Sequence, residues 1–393
     1  MSSPSSLPSK VSMGQPDRLL LLSIFMLLGM GLLSVFSASA NHAQLESGHS
    51  FALFGKQLLA AIIGLGGLAC CANLKPAFWQ KITLPFALGV LGLLLLTLLF
   101  GKTANGSERW LPLPIVGQFQ PSELAKFSVV LLMAQATSQA KRLNGCLFVN
   151  GILTTLMIVL IFKQPNLSIT LLLTSLVGVM LYLGRWPGWL FLAVLPPGAW
   201  VVWQKITTTE YQWRRIVGWL NPWRDMQDTG YNLVQSYYAI GSGGFLGTGY
   251  GQSIQKQFYL PFPYTDFIFS VICEEWGLVG GVMLIGAFGL LIWRGIRTAL
   301  RCPGLFGKLM ASGITFVVGL QAIINIAVTT GLMPVTGVTL PLVSYGGTSM
   351  VATLCMLGVL VGLSRLSQTT PVSDYRPNRS SNSPSALQPV LGS

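Results

Sequence analysis

The sequence has few charged residues: Asp, Glu, Lys and Arg make up 9% of the 393 residues. In soluble globular proteins they make up about a quarter. Apolar residues make up 52%, and they form recurrent long runs. Runs of roughly 18 apolar residues or more are typical of transmembrane helices. The composition excludes an ordinary soluble domain and predicts an all-α, polytopic membrane protein.

Histidine and cysteine are also scarce. Both histidines, His42 and His49, lie in one short loop, and the six cysteines show no Cys-x-x-Cys spacing. We therefore predict neither a disulfide framework nor a zinc site. The first apolar run is not followed by a small-residue cleavage site and a soluble domain, so we interpret it as a retained helix.

The apolar runs predict about ten membrane spans. Their predicted bounds are 18–40, 51–73, 81–100, 121–139, 145–162, 165–184, 187–205, 266–293, 306–330 and 342–366. Lys and Arg are concentrated in alternate loops, which predicts that both termini are cytoplasmic. The long loop 206–265, between the seventh and eighth spans, is then extracytoplasmic, and its basic residues call for a separate explanation.

The two ends of the chain differ from its middle. Residues 1–16 and 368–393 are rich in Ser, Pro and Asn, which predicts disordered cytoplasmic tails around a transmembrane domain at 17–367. The net charge of +13 is explained mainly by the bias of Lys and Arg toward cytoplasmic loops, where these residues meet anionic lipid. Binding to nucleic acid is not predicted.

One carboxylate, Asp266, lies where the long loop meets the eighth span. The loop before it carries Arg214, Arg215 and Lys256. A carboxylate faced by cations at a membrane surface suits chemistry on an anionic, lipid-linked substrate. Deeper in the same span, Glu274 and Glu275 are predicted to lie well within the bilayer, about 12 Å along the helix from Asp266. At least one of the two should be hydrogen-bonded or protonated there.

The fourth span opens with Gln120-Pro-Ser-Glu123, followed by Lys126. Proline at the first turn and an acid near the N-terminus are typical of a helix start. Glu123 and Lys126 are three residues apart, so they share a helix face and could pair. Two interpretations stay open: a structural ion pair, or a Lys126 side chain that faces a cavity and binds phosphate.

Two further segments are unlike lipid-facing helices. The stretch 329–347 is too polar and too broken, which predicts a re-entrant or cavity-lining loop that offers backbone and hydroxyl hydrogen bonds. The stretch 241–251 is dense in glycine. Its backbone N–H groups could hold phosphate, or its glycines could permit tight packing of a short helix.

Together these residues resemble the SEDS family (shape, elongation, division, sporulation) over nearly the whole chain outside the tails. The matching motifs are Ser34-Val-Phe-Ser-Ala-Ser39, Asn105-Gly-Ser-Glu-Arg-Trp110, Gln120-Pro-Ser-Glu-Leu-Ala-Lys126, Gln164-Pro-Asn166, Arg214-Arg-Ile216, Leu220-Asn-Pro-Trp223, Gly241-Ser-Gly-Gly244, Thr265-Asp-Phe-Ile-Phe269, Glu274-Glu275 and Pro334-Val-Thr-Gly-Val-Thr-Leu-Pro-Leu-Val-Ser-Tyr-Gly-Gly347. Asn221-Pro-Trp223 is closer to the division branch of the family than to the elongation branch. The family usually has Pro-Glu-x-His-Thr-Asp before the helix, whereas this chain has Phe262 and Tyr264 in place of the glutamate and histidine.

The resemblance implies a peptidoglycan glycosyltransferase that polymerises lipid II and releases polyprenyl pyrophosphate. It implies Asp266 as the catalytic base and a substrate site drawn from Arg109, Lys126, Arg214, Arg215, Lys256, Glu123, Gln120 and Ser344. No cofactor is assigned with the resemblance, and a divalent cation (Mg²⁺ or Mn²⁺) could accompany the pyrophosphate. The expected location is the inner (plasma) membrane, with the active site on the extracytoplasmic side.

The same resemblance implies partners and leaves alternatives open. A class B penicillin-binding protein would crosslink the glycan strands, and other division proteins would join the complex. A lipid II flippase would use the same cavity without a catalytic base. A non-catalytic division scaffold would not need Asp266 at all.

Overall fold

The computed structural model describes residues 14–104, 107–113, 117–139, 145–186, 198, 200, 203–257 and 259–367. Most of these residues are helical. The helices are α1 (Arg18–Ser47), α2 (Ala52–Ala72), α3 (Pro76–Phe100), α4 (Pro121–Gln139), α5 (Gly145–Lys163), α6 (Leu167–Leu183), α7 (Glu210–Leu220), α8 (Tyr231–Ser242), α9 (Ile268–Arg301), α10 (Leu305–Thr329) and α11 (Gly347–Ser367). The predicted all-α, polytopic fold is confirmed.

Each predicted span except the seventh corresponds to one helix. Among the described residues, 7 helices are long and apolar enough to cross a membrane, while α6 is apolar but shorter. The fourth span begins and ends where predicted, at Pro121 and Gln139. The seventh predicted span, 187–205, falls largely outside the described residues, as do most of the N-terminal tail and all of the C-terminal one.

A small sheet joins α3 to α4 and was not predicted. Strands β1 (Lys102–Ala104), β2 (Ser107–Leu113) and β3 (Gly117–Phe119) pair antiparallel in the order β1-β2-β3. Lys102 is opposite Trp110, and Leu111 is opposite Phe119. The strands are short and contain no run of alternating apolar residues, so periodicity alone does not reveal them.

Glycines let the central helices approach closely. A Cβ on Gly64 of α2 would overlap the Leu354 side chain of α11, and a Cβ on Gly358 of α11 would overlap the Leu68 backbone of α2. Small residues at helix contacts are typical of membrane proteins, where close van der Waals packing replaces the hydrophobic effect between helices.

The segment 330–346, between α10 and α11, descends into the bundle, as predicted for a re-entrant loop. A Cβ on Gly31, in the middle of α1, would overlap the Leu342 carbonyl. Leu340, Leu342 and Val343 are at most 2% exposed. We refer to residues 330–346 as the re-entrant loop.

The helix α9 is broken at Gly277, where φ is 66° and ψ is −162°. The glycine-dense segment 241–251 fills the break. The Thr248 and Gly249 amides donate to the carbonyls of Glu274 and Glu275 at 2.9 and 3.1 Å. On the other side, the Leu278 amide donates to the Gly244 carbonyl at 3.0 Å. The structure therefore favours the tight-packing interpretation of these glycines.

The depth predicted for Glu274 and Glu275 within the bilayer stays a prediction. The α9 helix has 34 residues, which is about 51 Å and longer than the hydrocarbon core of roughly 30 Å. Arg294 pairs with Asp17 at the end of the bundle rich in Lys and Arg. Glu275 lies about 28 Å along α9 from Arg294. Both glutamates are almost fully enclosed by protein, at 1% and 3% exposed.

Replacing Gly277 with alanine is expected to lower the free energy of unfolding by about 2 kcal/mol or more. A Cβ there would overlap the Gly247 amide and the Phe245 carbonyl, and the positive φ is itself unfavourable for alanine. Thermal or denaturant unfolding of the purified protein in detergent measures the effect. The control is Gly286→Ala on the same helix, where a Cβ meets no atom within 4 Å. Equal stability of the two variants would contradict the packing role of Gly277.

Candidate active site

Asp266 lies two residues before the start of α9, and three consecutive backbone carbonyls hold it there. Two of these carbonyls accept a hydrogen bond from the re-entrant loop, and the third accepts one from α10. The bonds are Tyr345 N to Tyr264 O at 2.8 Å, Ser344 Oγ to Thr265 O at 2.6 Å and Asn325 Nδ2 to Asp266 O at 2.8 Å. Asp266 Oδ2 also faces Gly337, where an added Cβ would lie 3.6 Å away. The carboxylate is therefore held against the re-entrant loop.

The re-entrant loop is itself held by polar side chains from several helices. Gln57 of α2 donates to the Ser344 carbonyl and accepts from the Gly346 amide, both at 3.1 Å. Gln321 of α10 donates to the Thr339 carbonyl at 2.9 Å. Ser168 of α6 donates to the Thr336 carbonyl at 2.8 Å. These bonds satisfy carbonyls that would otherwise be costly to bury.

The predicted pairing of Glu123 with Lys126 is confirmed, with Lys126 Nζ 2.7 Å from Glu123 Oε2. The same ammonium group donates to Gln321 Oε1 at 2.7 Å. Lys126 is fully buried and Glu123 is 3% exposed. The ion pair is thus linked through Gln321 to the re-entrant loop, and binding of phosphate by Lys126 stays a prediction.

Two other predicted residues lie close to this network. The backbone amide of Gln120, directly before α4, donates to Thr348 Oγ1 of α11 at 3.4 Å. The Ser344 hydroxyl accepts from the Leu340 amide at 2.8 Å while it donates to Thr265. Ser344 therefore fixes the shape of the loop and its contact with the Asp266 segment.

Lys256 lies in a second, separate cluster. Its Nζ is 2.8 Å from both Glu275 Oε1 and Ser37 Oγ, and the Ser37 hydroxyl also donates to Glu275. Lys256 is 5% exposed and Glu275 is 3% exposed. Glu274 accepts from the Ile254 amide at 2.8 Å. The expectation that these glutamates are hydrogen-bonded is confirmed for both of them.

Tyr250 borders this cluster. Its hydroxyl donates to the Leu33 carbonyl of α1 at 2.9 Å. Burial, followed by the negative charge of Glu275, raises the pKa of Tyr250. The phenol therefore stays protonated and keeps its hydrogen bond to α1 at neutral pH.

Arg214 and Arg215 lie on α7. Arg214 pairs with Asp228, and both side chains are about half exposed. The guanidinium of Arg215 lies 4.4 Å from the centre of the Tyr211 ring. On the same helix, Trp219 Nε1 donates to the Gly331 carbonyl at 2.8 Å, which attaches α7 to the re-entrant loop. Arg109 lies on β2, and its side chain is outside the described part of the chain.

Aromatic residues occupy the two positions where the chain departs from the family pattern, and one of them is packed against other rings. The Tyr264 ring makes edge contacts with His42 at 5.5 Å and with Tyr345 at 5.6 Å between ring centres. Phe262 is exposed and adopts a φ of 51°. The histidine of α1 thus lies beside the position at which the family usually has a histidine.

Sequence reasoning missed Gln57, Gln321 and Asn325, which hold the re-entrant loop and Asp266. Their signal is available in the sequence, because each is an uncharged amide within an apolar helix. Polar side chains at such positions usually hydrogen-bond within the bundle. Within the described residues, no group of three or more His, Cys, Asp or Glu side chains could hold a metal ion.

The bundle, the re-entrant loop and the aspartate at the start of a broken helix define a membrane-embedded SEDS-type fold. The model of a cell cycle protein family that groups FtsW, RodA and SpoVE matches residues 18–369. The chain therefore belongs to this family, which confirms the resemblance found in its motifs.

Relatives and solved structures agree with this assignment. The chain is 39% identical to stage V sporulation protein E of Bacillus subtilis, with 90% of this chain and 98% of the relative covered. It is 36% identical to a probable peptidoglycan glycosyltransferase FtsW of Geobacter sp. (strain M18), with 88% and 96% covered.

Among solved structures, a chain from work on "structural coordination of polymerization and crosslinking by a peptidoglycan synthase complex" superposes with a TM-score of 0.72 at 32% identity, with 89% of this chain and 98% of that chain covered. The rod shape determining protein RodA of Thermus thermophilus superposes with a TM-score of 0.66 at 29% identity, with 91% and 98% covered.

Replacing Lys256 with methionine is expected to lower the free energy of unfolding by about 3–5 kcal/mol, because Glu275 is left buried without its cation. The double variant Lys256→Met with Glu275→Gln should recover much of this loss, since the glutamine is neutral and can still accept from Ser37. Unfolding in detergent measures both. If Lys256→Met were as stable as the unmodified protein, the buried ion pair would not have its structural role.

Proposed function

We propose that this chain is a peptidoglycan glycosyltransferase that polymerises lipid II during cell division. Membership of the family and the names of the FtsW relatives support the reaction class. The observation that carries the assignment to a site is the position of Asp266. Its backbone is fixed by hydrogen bonds at three successive carbonyls, so the carboxylate has the defined position that a catalytic base needs.

In the proposed reaction, Asp266 accepts the proton of the C4 hydroxyl on the N-acetylglucosamine of the acceptor. The resulting oxygen nucleophile attacks the anomeric carbon of the N-acetylmuramic acid of the donor. The bond from that carbon to the pyrophosphate breaks, and polyprenyl pyrophosphate leaves with the bonding electrons. A second carboxylic acid is not needed, because pyrophosphate leaves without being protonated.

Positive charge near the departing pyrophosphate would stabilise the transition state. Arg214 and Arg215 suit this role best, because Arg214 is about half exposed and its pair with exposed Asp228 is a weak one that phosphate can replace. Their helix is attached to the re-entrant loop through Trp219. Arg109 is assigned to the same site from its motif. Lys126 and Lys256 would have to give up buried carboxylate partners before they could contact phosphate.

A divalent cation on the pyrophosphate stays part of the proposal. Mg²⁺ commonly binds one or two carboxylates together with substrate phosphates, so a dedicated acidic cluster is not a requirement. When bound, such a cation would add positive charge at the leaving group.

We further propose that the protein works in the inner membrane with its active site on the extracytoplasmic side. The partner would be a class B penicillin-binding protein, which would crosslink the strands, with other division proteins in the same complex. The likeness to a chain of a peptidoglycan synthase complex supports a partner of this kind. A partner that contacts loop 206–265 could alter activity, because α7 in that loop is bonded to the re-entrant loop.

Replacing Asp266 with asparagine is expected to lower kcat for lipid II polymerisation by about 100-fold or more, since the proton acceptor is lost while size and polarity are kept. Polymerisation of purified lipid II by the purified protein, with its partner present, measures the effect. The control is Glu210→Gln, an equivalent change at an exposed carboxylate in the first turn of α7. Activity within a few-fold of the unmodified protein would remove Asp266 as the base.

The alternatives give different results for Asp266→Asn. A flippase would lose translocation of lipid II, and polymerisation would be due to another protein. A scaffold would lose neither activity and would keep its division partners. A loss of polymerisation in the purified system, with partner binding unchanged, would exclude both alternatives.

Replacing Arg214 and Arg215 together with glutamine is expected to lower kcat/KM for lipid II by about 10-fold or more, because two cations that stabilise the departing pyrophosphate are lost. The control is Arg301→Gln at the C-terminal end of α9, in the part of the bundle rich in Lys and Arg. Kinetics at varied lipid II concentration separate KM from kcat. An unchanged kcat/KM in the double variant would contradict a pyrophosphate site on α7.

A further inference from the structure

Two side-chain amides on α10 contact the re-entrant loop from one helix face. Gln321 and Asn325 are four residues apart, so they lie one above the other. Gln321 Nε2 donates to the Thr339 carbonyl at 2.9 Å, and Asn325 Nδ2 donates to the Val338 carbonyl at 2.7 Å. Successive amides of α10 therefore hold successive carbonyls of the loop.

The Asn325 amide also makes a second bond, to the segment that contains Asp266. Its Nδ2 also donates to the Asp266 carbonyl at 2.8 Å. An amide nitrogen has two hydrogens, and here one is available for each carbonyl. Asn325 thus joins the backbone of Asp266 directly to the re-entrant loop. The Oδ1 atom of Asn325 is buried and has no hydrogen-bond partner among the described residues, so the position of the side chain is set by its two donors.

Packing alone does not explain an asparagine at this position. Asn325 is 1% exposed, and a buried amide is costly unless it is hydrogen-bonded. Leucine has the same branching at Cγ and the same number of side-chain heavy atoms, and it would pack in an apolar helix without that cost. The residue is also too buried to serve as a surface that receives substrate. The two carbonyls that Asn325 joins, those of Asp266 and Val338, therefore indicate its function.

Lys126 extends this arrangement into α4. Its ammonium group donates to Gln321 Oε1 at 2.7 Å while it pairs with Glu123. This bond orients the Gln321 amide so that its nitrogen faces the Thr339 carbonyl. A buried ion pair on α4 therefore controls one of the two amides that hold the loop against Asp266.

We propose that Asn325 is a positioning residue for Asp266. Gln321, oriented by Lys126, holds the same loop through the neighbouring carbonyl. This inference rests on the proposed function, in which Asp266 is the base. Asn325 does not touch substrate in this arrangement. It sets the distance between the carboxylate and the acceptor hydroxyl, and an error of about 1 Å in such a distance can lower a rate by about 100-fold.

The first test is Asn325→Leu, measured by lipid II polymerisation with the purified protein and its partner. We expect kcat to fall by about 10- to 100-fold, with KM for lipid II within about three-fold of its original value. The matched control is Asn150→Leu, since Asn150 is also a buried asparagine, and its amide donates to a carbonyl of a neighbouring helix, Leu132 O, at 3.3 Å. A kcat change that is equal in the two variants would overturn the proposal.

The second test combines Asn325→Leu with Asp266→Asn. If Asn325 acts through the Asp266 carboxylate, the double variant should be no slower than Asp266→Asn alone, because the group that is positioned has already been lost. If the two losses multiply, Asn325 has a separate role and the proposal is wrong. Residual rates of this size are measured with radiolabelled lipid II over long incubations.

Two further results keep this inference separate from the proposed function. If Asp266→Asn stays active, the assignment of the base fails and the positioning role fails with it. If Asp266→Asn is inactive while Asn325→Leu keeps kcat within about three-fold, only the positioning role fails. Should Asn325→Leu not fold, Gln321→Leu takes its place in both tests, with the same expected loss of kcat at unchanged KM. Gln321 is neutral and is not among the cations proposed to contact phosphate. A fall in kcat at unchanged KM in Gln321→Leu would therefore indicate a positioning role.

Discussion

The re-entrant loop depends on one constraint, which is that a backbone carbonyl buried at membrane depth needs a hydrogen-bond donor. A helix satisfies its own carbonyls, but an irregular segment cannot. The structure meets this demand with side chains from the surrounding helices, among them Gln57, Gln321 and Asn325. Those donors have fixed positions on the helices, so the loop has a fixed position too. The Asp266 segment is hydrogen-bonded to the loop and is therefore held in place with it.

Much of the fold could be predicted from the sequence, because apolar runs of membrane length are a strong signal. The start of α4 at Pro121 and the re-entrant loop at 330–346 were both predicted from local composition. The three short strands before α4 were not, because they carry no periodic pattern. The depth of Glu274 in the bilayer stays a prediction, since a sequence gives the length of a helix but not the point at which the helix leaves the membrane.

The site was less predictable than the fold, and the reason lies in the lysines. From the sequence, Lys126, Lys256 and Arg214 are equivalent cations near a membrane surface. The structure separates them, since the two lysines are buried against glutamates while Arg214 is half exposed. Burial depends on which helices become neighbours, and that information is distributed over the whole chain. The same limit hides Asn325, whose two partner carbonyls lie 59 and 13 residues away in sequence.

The break at Gly277 divides α9 into two rods of different character. The longer rod, 278–301, is about 36 Å long, which is enough to cross the hydrocarbon core of a bilayer. The shorter rod, 268–276, follows Asp266 directly and packs among the loop segments. The break does not act as a free joint, because the Glu274 and Glu275 carbonyls before it accept from Thr248 and Gly249 and the Leu278 amide after it donates to Gly244. One loop therefore sets the angle between the two rods, and that angle decides where the shorter rod places Asp266 against the re-entrant loop.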